Sequence, residues 1–147
     1  MSKRAVPFTT TIAVRDSCLC LHVQRAARAL ARRYDDALRP LGLTSGQFSL
    51  LMSLNRPEPP TMSSVANLLA MDRTTLTAAL KPLERRGLVK VTIGEKDRRS
   101  RLMTLTPEGL ELLALAMPAW DATQAETAGL LGDGDPTALI ESLRALS

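Results

Sequence analysis

The sequence predicts a mainly α-helical fold with one small β-hairpin. Apolar residues recur at spacings of three and four over most of the chain, which is the period of amphipathic helices. Two short alternating runs, residues 88–93 and 101–105, flank a charged loop and indicate two paired strands. The 147 residues, 45% of them hydrophobic, are sufficient for a single domain with its own core.

The first predicted helix covers residues 16–41 and ends near Pro40 and Gly42, which both disfavour its continuation. Its apolar stripe consists of Leu19, Val23, Ala26, Ala27, Leu30, Tyr34, Ala37, Leu38 and Leu41. Residues 1–15 are expected to form a flexible leader, because they contain no continuous apolar segment of a signal peptide. The run 110–117 is too short to span a membrane. We therefore expect a cytoplasmic protein with no membrane contact.

Capping residues mark the next two helices. Thr44 is the expected N-cap of the second helix, and the segment "NRPEPP" ends it. Thr61 or Ser63 caps the third helix. The predicted inward-facing residues are Phe48, Leu51, Met52 and Leu54 in the second helix and Val65, Leu68 and Leu69 in the third.

The fourth helix follows the third after a tight turn at Ala70 and Met71. Asp72 is its expected N-cap and Gly87 its stop. Its buried stripe is predicted to be Leu76, Ala79, Leu80 and Leu83. The residues left facing outward are Arg73, Thr74, Thr75, Thr77, Ala78, Lys81 and Arg85.

The two strands follow, and helices complete the chain. Thr106 caps a fifth helix that is expected to run to Leu131 with a bend at Pro118. A short last helix begins after Asp135. The predicted order is thus four helices, a hairpin and two more helices.

Positive charge is concentrated in one part of the chain. Residues 73–101 contain nine Lys or Arg and three acidic residues, a local net charge of +6 in a chain whose total is +4. Such a basic region is typical of a nucleic-acid-binding face, although an ordinary solvated surface is the simpler alternative. The four aromatic residues are too few to stack single-stranded bases. Duplex DNA is therefore the expected nucleic acid.

Two helices joined by a tight turn and followed by an arginine-rich hairpin indicate a winged helix-turn-helix. In this arrangement the second helix lies in the major groove and presents its N-terminal residues to base edges. Hydroxyl or methyl groups suited to base edges belong to Thr74, Thr75, Thr77 and Ala78. The residues expected at phosphates are Arg73, Lys81 and Arg85.

Three stretches between Leu41 and Leu113 resemble the MarR family of bacterial transcription regulators. They are "GLTSGQFSLLMSL", "MSSVANLLAMDRTTLTAALKPLERRGLV" and "EKDRRSRLMTLTPEGLELL". The resemblance implies a DNA-binding lobe at residues 43–105 and dimerisation helices at residues 16–42 and 106–147. It also implies a homodimer that binds an inverted-repeat operator as a repressor and is released by a small-molecule effector or an oxidant.

The resemblance further assigns roles to the hairpin tip. It places Arg99 in the minor groove, whose negative potential attracts arginine, and gives Asp97 the role of holding the guanidinium. Arg98 and Arg101 are each expected either at a phosphate or as a solubilising charge. Two residues depart from the family pattern: Ala70 stands where a glycine is common, and Pro82 lies inside the fourth helix, which should bend or shorten there.

The two cysteines raise a second hypothesis. In the peroxide-sensing branch of the family, a reactive cysteine early in the first helix has a tyrosine partner fourteen residues later, and Cys20 and Tyr34 have this spacing. Gln24 replaces a second tyrosine of that branch, so we favour Cys20 as a small buried apolar residue at a dimer interface. Cys18 and His22 alone do not make a metal site or a catalytic pair.

No enzymatic signature accompanies these features. The sequence contains one histidine and no glycine-rich phosphate loop, paired carboxylates or metal-ligand spacing. We therefore expect neither an enzyme nor a cofactor. A winged fold that binds protein instead of DNA is the remaining alternative, since fold alone does not determine function.

Overall fold

The computed structural model describes residues 5–147. Their helices are α1 (Phe8–Ser17), α2 (Leu19–Leu38), α3 (Ser45–Leu54), α4 (Met62–Leu68), α5 (Arg73–Arg85), α6 (Pro107–Gly129) and α7 (Pro136–Ala145). A short 3-10 turn, Arg39–Leu41, follows α2, and the strands β1 (Val89–Ile93) and β2 (Arg101–Leu105) lie between α5 and α6. The mainly helical fold with a two-stranded hairpin is therefore confirmed.

The hairpin is antiparallel, with Val89 opposite Leu105 and Ile93 opposite Arg101. The backbone N–H of Met103 donates to the carbonyl of Pro60 at 3.1 Å, and Thr61 forms an isolated bridge with Leu102. The chain entering α4 is thus hydrogen-bonded to the outer edge of β2, which ties the helix pair to the wing.

The core lies between α3, α4, α5 and the sheet. Its largest fully buried side chains are Leu38, Leu50, Leu51, Val65, Leu76, Leu80, Leu83 and Met103. Phe48 stacks on Trp120 with ring centroids 6.4 Å apart, which extends the packing from α3 to α6. Among the described residues, no helix is both long enough and apolar enough to cross a membrane.

Local capping chemistry determines where the helices begin. The caps expected at Thr44, Thr61, Asp72, Thr106 and Asp135 are confirmed, since each side chain accepts a hydrogen bond from a backbone N–H of the following turn. Thr61, rather than Ser63, caps α4. At Thr44 the Gln47 side chain completes a reciprocal capping box.

The N-terminal part differs from the expectation of a flexible leader and one helix over residues 16–41. Residues 5–7 are not helical, α1 begins at Phe8, and residues 1–4 of the expected leader lie outside the described part. Cys18 interrupts the helix with an extended backbone (ψ 109°), and its sulfur accepts a hydrogen bond from the Leu21 N–H. Cys18 therefore caps α2 instead of lying within a helix.

The interior prolines do not shorten their helices. α5 continues through Pro82 to Arg85, and α6 continues through Pro118 to Gly129. Each proline lacks the N–H that would bond to the carbonyl four residues earlier, but the flanking turns keep their helical bonds. The inward orientation expected for Leu68 is wrong: its side chain is 61% exposed, because Met62, Val65 and Ala66 form the buried face of α4.

Ala70 adopts the conformation that glycine usually supplies. Its φ is +51°, in the left-handed region, and it lies in the turn between α4 and α5. Its N–H bonds to the carbonyl of Asn67, and the Met71 N–H bonds to the carbonyl of Ala66. These two hydrogen bonds define a Schellman motif, so the tight turn forms even though this position has a side chain.

Candidate nucleic-acid interface

The exposed face of α5 is the first part of the candidate site. All seven residues predicted to face outward on this helix are exposed: Arg73, Thr74, Thr75, Thr77, Ala78, Lys81 and Arg85. A shallow cavity of about 320 Å³ is lined by five of them, namely Arg73, Thr74, Thr77, Ala78 and Lys81. The helix thus presents polar, methyl and basic groups along one stripe, beginning at its N-terminus.

The threonines on this face are not equivalent. Thr75 donates its backbone N–H (2.7 Å) and its hydroxyl (2.9 Å) to the two carboxylate oxygens of Asp72. These two hydrogen bonds hold the pKa of Asp72 below its usual range. The Thr77 hydroxyl donates to the carbonyl of Arg73 at 2.7 Å. Among the described side-chain contacts, the Thr74 hydroxyl has no protein partner, so it has the most freedom to meet a base edge.

The hairpin tip is the second part of the site, and it corrects the role expected of Asp97. Its Oδ1 accepts a hydrogen bond from the backbone N–H of Arg99 at 2.9 Å, and no ion pair joins the two side chains within residues 5–147. The Ser100 hydroxyl donates to the Asp97 carbonyl at 2.7 Å. A short ring of this kind closes with less loss of side-chain entropy than a contact with the long guanidinium group. Asp97 therefore shapes the tip, and Arg98 and Arg99 extend from it, both exposed.

A cleft of about 350 Å³ joins the two parts of the site. Arg73 and Thr77 on α5 face Arg99 and Arg101 on the wing, and Glu84 lines the same cleft. Sequence reasoning left the role of Arg101 open and did not assign Glu84 to the site. Arg101 begins a strand, and only the hairpin register shows that its side chain is on the α5 side.

Glu84 lines the same cleft, but no arginine of this surface forms an ion pair within the described residues. Within residues 5–147 the ion pairs are Arg15–Asp16 and Arg39–Asp36, both remote in sequence from α5 and the hairpin. The arginines of the helix and the wing are therefore available to an external anion. Regularly spaced phosphates are the anions that such an extended surface would contact.

A separate pocket of about 370 Å³ lies between α2, α3 and α6, and sequence analysis did not predict it. Its lining consists of Ala27, Leu30, Ala31, Tyr34, Ser45, Phe48, Ser49 and Trp120. The Tyr34 hydroxyl donates to the side-chain oxygen of Gln124 on α6. Asp35 accepts the Ser45 N–H at 2.6 Å, which lowers the pKa of the aspartate. The pocket walls are mainly apolar and aromatic, with the hydrogen-bonded Tyr34 hydroxyl and two serines as polar groups, which is the usual composition of a small-molecule site.

The redox candidates Cys20 and Tyr34 are far apart within one chain, as expected for a pair that would meet only across two subunits. Cys20 and Tyr34 are fourteen residues apart on α2, about 21 Å along the helix axis. Cys20 is exposed in the single chain and its sulfur accepts a hydrogen bond from the Gln24 amide at 3.4 Å. The imidazole Nε2 of His22 lies 2.9 Å from the carbonyl of Arg15, not beside Cys18. Within the described residues no three His, Cys, Asp or Glu side chains form a group suited to a metal ion.

Comparison with known proteins identifies the family. The MarR family model matches residues 43–100, which contain the helix pair and most of the hairpin. The transcriptional activatory protein BadR from Rhodopseudomonas palustris is 33% identical over 129 residues, which cover 85% of this chain and 74% of BadR. The chain belongs to the MarR family of transcription regulators. Matches to two other curated relatives span only 62% of the length of those proteins.

Solved structures of MarR proteins agree with this assignment. The regulator MosR from M. tuberculosis, in complex with DNA, is 39% identical with a TM-score of 0.80, over 88% of this chain and 93% of MosR. CouR from Rhodococcus jostii, bound to p-coumaroyl-CoA, is 26% identical with a TM-score of 0.69, over 89% of this chain and 90% of CouR. The resemblance inferred from the sequence motifs is thereby confirmed.

Proposed function

We propose that this MarR protein is a cytoplasmic repressor that binds an inverted-repeat operator in duplex DNA as a homodimer. The observation that carries the proposal is the continuous basic surface formed by α5 and the hairpin tip. α5 presents exposed hydroxyl, methyl and basic groups, as a helix in the major groove would, and Arg99 is exposed at the hairpin tip, where a minor-groove contact would lie. MosR, a similar protein solved in complex with DNA, supports this proposal.

The terminal helices support the dimer. α1 and α7 contain no buried residue in the single chain. The exposed large apolar residues of α7 are Leu139, Ile140 and Leu143, and its C-cap residue, Leu146, is also exposed. Apolar faces of this size on a folded monomer usually belong to an interface. We therefore assign residues 16–42 and 106–147 to dimerisation and residues 43–105 to DNA binding.

DNA binding is tested by selecting duplexes from a random pool with the wild-type protein and measuring the affinity of the selected operator. We expect the affinity to fall steeply with salt, because phosphate contacts release counterions. Arg73→Ala should weaken binding, whereas Arg33→Ala, which removes an exposed arginine on α2, is the matched control and should not. Failure to select any sequence, or affinity that does not respond to salt, would contradict the proposal and favour a protein-binding winged domain.

The pocket between α2, α3 and α6 is the proposed effector site. Its volume of about 370 Å³ is at the low end of the usual range for ligand sites, which favours a small planar ligand. CouR binds an aromatic acyl-CoA, which is compatible with an aromatic group between Phe48 and Tyr34. The site bridges the proposed dimerisation helices and the DNA-binding lobe, so a ligand there could favour one relative placement of the two.

The chain's single tryptophan provides a direct assay, because Trp120 lines this pocket. Titration with p-coumaric acid, the acyl group of the CouR ligand, should change its fluorescence and release the operator over the same concentration range. Ala31→Phe, which fills the pocket, should abolish the response to a binding acid without abolishing DNA binding. A fluorescence change that persists in Ala31→Phe would place the ligand elsewhere.

The thiol-based alternative has less support. Cys20 is exposed, and Tyr34 is held within its own chain by Gln124. Titration with an organic hydroperoxide distinguishes the two mechanisms. If wild type is released from DNA and Cys20→Ser is not, the redox mechanism replaces the ligand mechanism.

A further inference from the structure

Arg86 connects the end of the recognition helix to a distant part of the chain. It follows α5 directly, and its Nη1 donates a hydrogen bond of 2.7 Å to the carbonyl of Gly42. Gly42 ends the 3-10 turn that follows α2. Within residues 5–147, no other side-chain hydrogen bond crosses from α5 to α2 or this turn. The contact therefore joins the DNA-reading helix to the end of a proposed dimerisation helix.

Gly42 is suited to this contact in two ways. Its φ of +69° is in the left-handed region, where a glycine is favoured. A Cβ atom at this position would lie 3.3 Å from Nη2 of Arg86, so a side chain here would press on the guanidinium group. The backbone conformation and the close approach of Arg86 thus both favour glycine.

The corner that receives Arg86 is itself fixed. The Leu43 N–H bonds to the carbonyl of Leu38, which closes the end of α2. Asp35 on α2 accepts the N–H of Ser45, the first residue of α3, at 2.6 Å. Both hydrogen bonds hold the turn between α2 and α3 in one geometry. Arg86 is therefore attached to a firm point and not to a mobile loop.

The direct packing partners of α5 differ from those of α2. α5 packs against α4 and β1, and α2 packs against α3 and α6, while α3 also contacts α4 and β2 and so links the two groups. The apolar core between the two groups restrains their separation but has no directional preference. A charge-assisted hydrogen bond from a planar guanidinium group is directional, and it ties this end of α5 to α2, while the Thr106 hydroxyl ties the adjacent Gly87 carbonyl to α6.

We infer that Arg86 is a positioning residue that fixes the placement of each recognition helix relative to the dimer, and so sets the half-site spacing that the protein accepts. The inference rests on the proposed function as a dimeric operator-binding protein. Inserting one base pair between half-sites separates them by about 3.4 Å and rotates them by about 35°. A firmly placed helix cannot follow such a change, whereas a released one can adjust.

The experiment compares operators that differ only in the length of the central spacer. The probe is the duplex selected by the wild-type protein, with one base pair inserted or removed at its centre, and the affinity is measured by fluorescence anisotropy. Wild type should lose about tenfold or more in affinity on either change, but Arg86→Met should lose less than about threefold. Affinity for a single half-site should be the same for both proteins within about twofold.

Arg85→Met is the matched control, since Arg85 is the neighbouring arginine and belongs to the proposed DNA face. It should weaken binding to every spacer equally and retain the wild-type discrimination. Arg86→Lys keeps the charge and one donor, so it should restore part of the discrimination. If Arg86→Met does not fold, Arg86→Gln, which is too short to reach Gly42, takes its place.

The outcomes distinguish failure of the positioning role of Arg86 from failure of the proposed DNA-binding function. Wild-type discrimination in Arg86→Met or Arg86→Gln would overturn the positioning role while leaving operator binding intact. Failure of the wild-type protein to bind any duplex would refute the proposed function, and the positioning role with it. Reduced discrimination in Arg86→Met, with unchanged half-site affinity and retained discrimination in Arg85→Met, supports the inference.

Discussion

Replacing Ala70 with glycine should stabilise the protein. Ala70 has a φ of +51° in the Schellman motif that ends α4. Gly87 occupies the equivalent position after α5, with a φ of +73°: its N–H bonds to the carbonyl of Glu84, and the Leu88 N–H bonds to the carbonyl of Leu83. The chain thus contains the same motif with a glycine and with an alanine, which allows the two substitutions to be compared directly.

The size of the effect follows from two opposing terms. A left-handed conformation costs an L-residue with a Cβ atom roughly 1–2 kcal/mol. The gain from removing this cost is partly offset in the glycine variant, because its unfolded state has more conformational freedom, which costs about 0.4–1 kcal/mol of stability. Ala70→Gly should therefore raise the free energy of unfolding by about 0.5–1 kcal/mol. Since Ala70 is exposed, loss of its methyl group removes no core packing.

Gly87→Ala is the reciprocal variant. A Cβ atom at Gly87 would meet no other atom within 4 Å, so its effect is a backbone effect and not a steric clash. It should lower stability by about the same amount that Ala70→Gly raises it. Urea unfolding and thermal melts at one fixed protein concentration measure both, and about 1 kcal/mol corresponds to a shift in Tm of about 2–4 °C.

A decrease in stability for Ala70→Gly would refute this reasoning. It would mean that the left-handed conformation costs less than the freedom gained by the unfolded chain. Stabilisation by Gly87→Ala would likewise mean that the left-handed conformation costs less than the conformational freedom that glycine gives the unfolded chain. Equal and opposite shifts would confirm that the turn between α4 and α5 carries a strain that glycine removes.

Three further substitutions test the wing, the α2–α3 corner and the start of α6. For Arg99→Ala, the plot of log affinity against log salt concentration should become less steep by about 2, because a dimer loses one cationic contact from each subunit. The free energy of unfolding should change by less than about 0.5 kcal/mol. A large decrease in Tm would contradict the role of Arg99 at the tip. Because the pKa of Asp35 is lowered in the folded state, its carboxylate stabilises the fold above about pH 4, and this stabilisation is lost as the pH falls through the folded-state pKa. In urea unfolding between pH 5 and 3, the free energy of unfolding should therefore decrease more steeply for wild type than for Asp35→Asn. Gly109→Ala should prevent correct folding, because its Cβ would lie 2.2 Å from the Leu88 carbonyl oxygen, whereas Gly129→Ala, which meets no atom within 4 Å, should give an unchanged circular dichroism spectrum.

The sequence predicted those features that depend on a few neighbouring residues. Asp72 and Thr106 cap their helices because a short side chain reaches an N–H two or three residues ahead, whatever the rest of the fold does. The strain suspected at Ala70 follows from the same local geometry. The exposed face of α5 was also predictable, since a stripe of buried leucines fixes the orientation of the whole helix.

Other features depend on a choice among several possible partners, which the sequence does not settle. Asp97 can reach either the guanidinium or the backbone N–H of Arg99, and the structure shows the backbone contact. Cys18 has no strong helix-breaking character, yet its sulfur caps α2. The stacking of Phe48 on Trp120 joins residues far apart in sequence, so no local pattern could indicate the pocket beside them.

Because α6 is long, a small change in its tilt produces a large displacement at its end. Its first turn is anchored at the base of the wing, where the Thr106 hydroxyl donates to the carbonyl of Gly87 at 2.6 Å. Its 23 residues extend about 35 Å from that anchor. Treated as a straight rod, the helix needs a tilt of only about 6° to displace its far end by about the 3.4 Å rise of one base pair. If the far end is held in the proposed dimer, the same tilt moves the wing end of α6 by this distance, which is large enough to carry a recognition helix out of register with its groove.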